Sequence, residues 1–158
     1  MPSIEIMQKD LRAAGIRPVK VFNVSASVGT GGANKAGDVM LVQCMFATLM
    51  HYRSKTHLMV GKDSGQPPVP NGLYTPKLGR LILEYQRLYS VLLLSVDGRI
   101  SPASFAGRVL RSGGNIRRMT IQMLNENLGE TSALLGGSWF DGVDLTIKTF
   151  PQLKALVT

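Results

Sequence analysis

Asn71-Gly72-Leu73-Tyr74-Thr75-Pro76 is followed, 26 residues on, by Asp97-Gly98-Arg99-Ile100-Ser101-Pro102. Each stretch reads as a tight turn that opens a helix. Asn-Gly and Asp-Gly tolerate the positive φ that such turns require. Thr75 and Ser101 are hydroxyl residues suited to cap a helix start. Pro76 and Pro102 then fall on the first helical position, where no amide donor is needed. The six positions agree in chemical type at all but the third. One such turn is common in helical proteins. Two in register point to a repeated turn-plus-helix unit.

Apolar spacing extends each unit. Leu78, Leu81, Ile82, Tyr85 and Tyr89 trace one face of a helix over residues 76–90. Phe105 and Val109 continue the second unit as a shorter helix, ended by Ser112-Gly113-Gly114. Upstream, Val39, Val42, Phe46 and Leu49 recur at intervals of three and four, with Met45 and Tyr52 on the flanks. They predict an amphipathic helix over residues 39–54 with Asp38 as its N-cap. Residues 55–70 read as a long loop whose closing Pro67-Pro68-Val69-Pro70 forbids a central strand.

The outer segments carry weaker patterns. Residues 4–14 read as a short helix stopped by Gly15 and Pro18, and residues 19–28 as a short strand. Gly29-Thr30-Gly31-Gly32-Ala33-Asn34 is a Gly-rich turn. It matches neither the Walker spacing nor the dinucleotide fingerprint, so a plain loop before a helix is the better reading. Ile116, Met119, Met123, Leu124 and Leu128 predict a further helix over residues 116–128, broken by Gly129. Residues 144–150 alternate weakly, as a strand would, up to Pro151. The expected architecture is mainly α: a compact three-helix bundle with N- and C-terminal extensions that carry short strands. The boundaries fall at residues 1–27, 28–112 and 113–158.

Composition bounds the function. The 158 residues are 44% hydrophobic and 18% charged, enough for a real core. Aromatics are only 6%, so aliphatic side chains and eight Met fill it. The net charge of +8 is uneven. Between residues 77 and 118, eight Lys and Arg face only Glu84 and Asp97, whereas residues 119–158 carry Lys148 and Lys154 against Glu126, Glu130, Asp141 and Asp144. A basic middle attracts polyanions or a carboxylate-bearing polymer, or is an ordinary solvated surface. Nucleic acid is disfavoured, because aromatic interleaving and a reader motif are missing.

Chemistry-bearing residues form no catalytic set. Cys44 is the single cysteine and sits in an apolar helical pattern, where a buried inert thiol is expected. His51 and His57 lie six apart, not at a metal-binding helical spacing. No cofactor is implied, and a non-catalytic role is expected. The N-terminal residues do not read as a secretory signal. The longest strongly apolar run, Val91-Leu92-Leu93-Leu94, is too short to span a bilayer. Synthesis in the cytoplasm is expected, with delivery to a wall by a signal-independent route or assembly into a particle.

From Asp38-Val39 and Val42-Gln43, through the first turn, Tyr85-Gln86 and Val96-Asp97 to the second turn, the chain resembles the peptidoglycan-binding-domain-like family. The resemblance covers residues 28–111. Members pair a Val/Leu-Gln helix with an Asp-Gly turn, then an aromatic-Gln helix with a second Asp-Gly turn. Here Asn71 replaces the usual Asp, and Thr75 and Ser101 stand where Gly is usual. The resemblance implies a packed helical module that binds peptidoglycan and holds a partner near the wall. The ligand-contacting candidates are Asn71, Tyr74, Gln86, Arg87, Asp97 and Arg99. The alternative is a structural or adaptor subunit of a contractile injection or phage-tail-like assembly, using the same module for protein contacts.

Overall fold

A computed structural model describes residues 1–7, 19–56, 60–62, 65–103, 117–138 and 141–157. The chain starts with two strands, β1 (Ser3–Met7) and β2 (Val19–Asn23), paired antiparallel from Ser3 opposite Asn23 to Met7 opposite Val19. Helix was expected over residues 4–14, and at 4–7 this is corrected. Ser3-Ile4-Glu5-Ile6 alternates polar and β-branched residues, and that period of two wins. The rest of that expectation lies outside the described residues. A two-residue strand, β3 (Val28–Gly29), follows.

Helix α1 (Ala36–Thr56) is longer than the sequence pattern indicated. It is also not amphipathic: every residue from 41 to 50 is buried. Asp38 is not its N-cap but lies in its first turn. Its buried carboxylate accepts from Ser25 N (2.7 Å), Ser25 Oγ (2.8 Å) and Ala26 N (3.1 Å), tying down the loop after β2. Buried carboxylates need such partners, and here the loop backbone supplies them.

Helix α2 (Pro76–Leu88) begins as expected: Thr75 Oγ1 accepts from Leu78 N at 3.2 Å and Pro76 opens the helix. Its face of Leu78, Leu81, Ile82 and Tyr85 is buried, and the Tyr85 ring meets Phe46 of α1 edge-on at 5.5 Å. After α2, strand β4 (Arg99–Ile100) pairs with β3. The helix expected around Phe105 and Val109 lies outside the described residues.

Helix α3 (Thr120–Leu134) starts and ends later than the expected 116–128. Its start is delayed because Arg118 is extended: Arg118 N donates to Leu92 O (2.7 Å) and Arg118 O accepts from Leu94 N (2.9 Å). Gln122 Oε1 then caps the Met119 N–H at 2.9 Å. Gly129 does not break α3. Gly142 lets α4 approach it closely, since a Cβ on Gly142 would lie 2.7 Å from Gly129 N. The strand reading of residues 144–150 is corrected, because α4 (Gly142–Thr149) occupies them. Val143, Thr146, Ile147 and Phe150 recur at helical spacing, which outweighs the weak alternation. A 3-10 turn at Pro151–Ala155 follows.

The fold is mainly α, with four helices among the described residues instead of three, and strands in the N-terminal but not the C-terminal extension. One hydrophobic cluster joins β2, α1, α2, α3 and α4, so the segments flanking residues 28–112 pack into the same core. Met45, Met50 and Met123 contribute to it. Among the described residues no helix is long and apolar enough to cross a membrane.

Candidate functional site: two turns locked by buried glutamines

A polar residue in a helix that is buried all round needs hydrogen-bonding partners inside the protein. Gln43 of α1 finds them in the first Asx-Gly turn. Its Oε1 accepts from Asn71 N (3.0 Å) and Gly72 N (2.9 Å), while its Nε2 donates to Asn71 Oδ1 (3.1 Å) and Leu73 O (3.0 Å). Asn71 Oδ1 also accepts from Leu73 N at 2.9 Å, which closes the turn on itself.

Gln86 of α2 does the same to the second turn. Its Oε1 accepts from Asp97 N (3.0 Å) and Gly98 N (2.7 Å). Its Nε2 faces Asp97 Oδ1 (3.2 Å), Arg99 O (2.8 Å) and Thr120 Oγ1 (2.9 Å). Asp97 Oδ1 accepts from Arg99 N at 3.0 Å, the counterpart of the Asn71 bond. Gly72 and Gly98 both take positive φ, 75° and 71°. The doubled sequence motif is therefore a doubled structure, in which each helix carries the glutamine that clamps the turn after it.

The Gly-rich loop bridges the two turns. Asn34 organises it, accepting from Gly29 N (2.8 Å) and donating to Gly29 O and Gly32 O (both 3.0 Å). Thr30 N then donates to Gly98 O (3.1 Å), and Thr30 Oγ1 lies 3.4 Å from the Tyr74 hydroxyl. Thus one loop touches residues of both units.

The six sequence-derived candidates divide accordingly. Asn71 and Tyr74 belong to the first turn and Asp97 and Arg99 to the second. Asn71, Asp97 and Arg99 are exposed and Tyr74 is half-buried. The Arg99 guanidinium stays near its own turn, with Nε 3.6 Å from Asp97 Oδ2. Gln86 is fully buried with its amide committed to the protein, so it positions the turn and does not face a ligand. Arg87 is exposed on α2 and makes no part of the turn structure described here.

Sequence reasoning passed over Gln43 as a site residue, although a glutamine inside Val42–Met45 is the signal that a buried amide serves a loop. It also passed over a cleft of about 200 Å³ beside the first turn. Pro67, Pro68 and Val69 form one side, Leu78 and Leu81 of α2 another, and Asn71, Thr75 and Lys77 supply polar atoms.

Titratable groups in the interior are held neutral or paired. Burial pushes the Cys44 thiol up to about 12, so it stays protonated, as expected of an inert thiol. His51 is exposed and meets the Tyr52 ring edge-on at 4.6 Å, while His57 lies outside the described residues. Burial also raises Tyr85, whose hydroxyl accepts from Asn127 Nδ2 at 2.9 Å. Among the described residues no group of three or more His, Cys, Asp or Glu is placed to hold a metal ion.

Comparison with protein-family models, with curated proteins and with solved structures finds no match to this chain.

Proposed function

We propose that the chain is a non-catalytic module that binds peptidoglycan through the surface around its two glutamine-locked turns. The observation that carries this reading is the matching hydrogen bonding of the two Asx-Gly turns. Residues that carry the resemblance to wall-binding modules, Gln43 with 71–73 and Gln86 with 97–99, make the same kind of glutamine-to-turn hydrogen bonds, which supports it. The rigid turns hold exposed Asn71 and Arg99 in fixed positions. Beside them α2 turns Lys77, Arg80 and Arg87 to solvent, a charge pattern suited to a carboxylate-bearing polymer. Co-sedimentation with purified sacculi tests the reading. The protein is expected to pellet at low salt and to be released as salt screens the basic face. A protein that stays in the supernatant at low salt refutes it.

A second reading is favoured by a separate observation. Leu88, Val91, Leu92, Leu94 and Val96 are all exposed, Val91 by 83%. Exposed apolar residues this close in sequence suit a protein interface. It supports a structural or adaptor subunit of an injection-machine or phage-tail-like assembly. A monodisperse monomer that forms no stable complex with proteins encoded beside it counts against that alternative.

A further inference from the structure

We infer that the cleft beside the first turn takes the free carboxylate end of a short peptide, namely the peptide stem of the wall polymer. This rests on the wall-binding reading and specifies which part of the polymer the module grips. Four features of the cleft point there. Among the described residues Lys77 is the one charged residue lining it, which matches an anion and not a cation. Among the described residues no aromatic side chain lines it, so they provide no flat platform on which a sugar ring stacks. Val69, 72% exposed, instead offers aliphatic surface for a small apolar side chain, with the nearly buried Leu78 and Leu81 forming the floor behind it. At about 200 Å³ the cleft is smaller than the roughly 300–1,000 Å³ of sites for drug-sized ligands, so it suits a chain end of one or two residues.

The cleft is also preformed. Gln43 fixes Asn71 and Leu73, Thr75 caps α2, and consecutive Pro67 and Pro68 restrict the opposite wall. A rigid site loses little entropy on binding a short ligand.

The test uses the full chain and a synthetic stem pentapeptide ending in D-Ala-D-Ala, as the free acid and as its C-terminal amide, with binding followed by calorimetry. The acid is expected to bind about tenfold more tightly than the amide, the effect of one charge-assisted hydrogen bond. Lys77→Ala should erase that difference and Lys77→Arg should retain most of it. Val69→Asp should weaken both forms. Lys77 and Val69 are exposed, so these variants should keep the parent's thermal midpoint, and circular dichroism checks that. Equal binding of acid and amide, or a Lys77→Ala protein that still prefers the acid, overturns the inference. Sacculus pelleting separates the two levels. Wild-type protein that pellets while Lys77→Ala and Val69→Asp pellet equally well overturns the cleft assignment and leaves the wall-binding reading standing. Wild-type protein that does not pellet overturns both.

Discussion

Gln86 accepts the amide proton of Gly98 at 2.7 Å, and through that bond a helix dictates the shape of a turn whose glycine lies twelve residues on in sequence. The same Oε1 takes Asp97 N, so truncation strands two donors at once, one of them on a buried glycine. Removing one partner of a buried hydrogen bond costs the desolvation of the group left behind. Gln86→Leu should therefore destabilise the protein by roughly 2–4 kcal/mol. Urea unfolding measures the loss, and hydrogen exchange should show Gly98 N losing protection ahead of the α1 amides. A loss below about 0.5 kcal/mol, the range of ordinary surface substitutions, would show that the clamp is incidental.

The two turn glycines should respond unequally to alanine. Both have positive φ, which costs an L-residue about 1–2 kcal/mol. A Cβ on Gly98 would find only the Thr30 side chain, Oγ1 at 3.4 Å and Cβ at 3.7 Å, ordinary contacts, whereas one on Gly72 would lie 2.9 Å from the backbone oxygen of Ala36. Gly72→Ala must also shift the start of α1. Thermal melts should rank Gly72→Ala as the more damaging, and the reverse order would contradict this geometry.

The turns and the start of α2 were legible in the sequence because their chemistry is local. Asn-Gly, Thr and Pro act on neighbouring residues, and Thr75 caps α2 as its type predicts. That Gln86 can reach a loop backbone was legible, but which turn each glutamine holds was not, because the partner is distant and the spacing differs. Gln43 lies 28 residues before Asn71, but Gln86 only 11 before Asp97. The same physics recurs at sites no motif marks. Asn125 of α3 accepts from Phe22 N (2.8 Å) and donates to Phe22 O (2.9 Å), as a neighbouring strand would. Asn23 does likewise to Ala103, at 3.1 and 2.7 Å. Each carboxamide offers a donor and an acceptor side by side, matching a peptide unit. The misread α4 and β1 failed for another reason. Eight- and five-residue elements hold too few periods to separate a spacing of two from one of 3.6.

Among the described residues one buried side-chain hydroxyl is unmatched. Thr131 of α3 is wholly inaccessible and its hydroxyl has no hydrogen-bond partner. Valine has nearly the same shape without the polar atom, so Thr131→Val removes a desolvation penalty and opens no cavity. It should leave stability unchanged or raise it by up to about 1 kcal/mol. Thr131→Ser keeps the hydroxyl and deletes a methyl, and should destabilise. Denaturant midpoints for the pair decide the matter; a clearly destabilised Thr131→Val would mean that the hydroxyl does useful bonding.

Glu126 gives the interior a pH dependence of definite sign. Burial raises its pKa above the reference 4.5, although the Arg118 guanidinium opposes the shift by hydrogen bonding and by charge, from Nε at 2.6 Å. Because the folded pKa exceeds the unfolded one, the unfolded state releases this proton first as pH climbs. The group therefore favours folding below pH 4.5, and its contribution falls as pH rises from there through the folded pKa. Measured against Glu126→Gln, which cannot titrate, the wild type should lose relative stability across that window and then level off. Arg118→Ala removes the opposing cation, so the Glu126 carboxyl should titrate at still higher pH in a carbon-detected NMR titration. A downward shift in that variant would mean that the Arg118 side chain raises the Glu126 pKa by shielding it from water more than its charge lowers it.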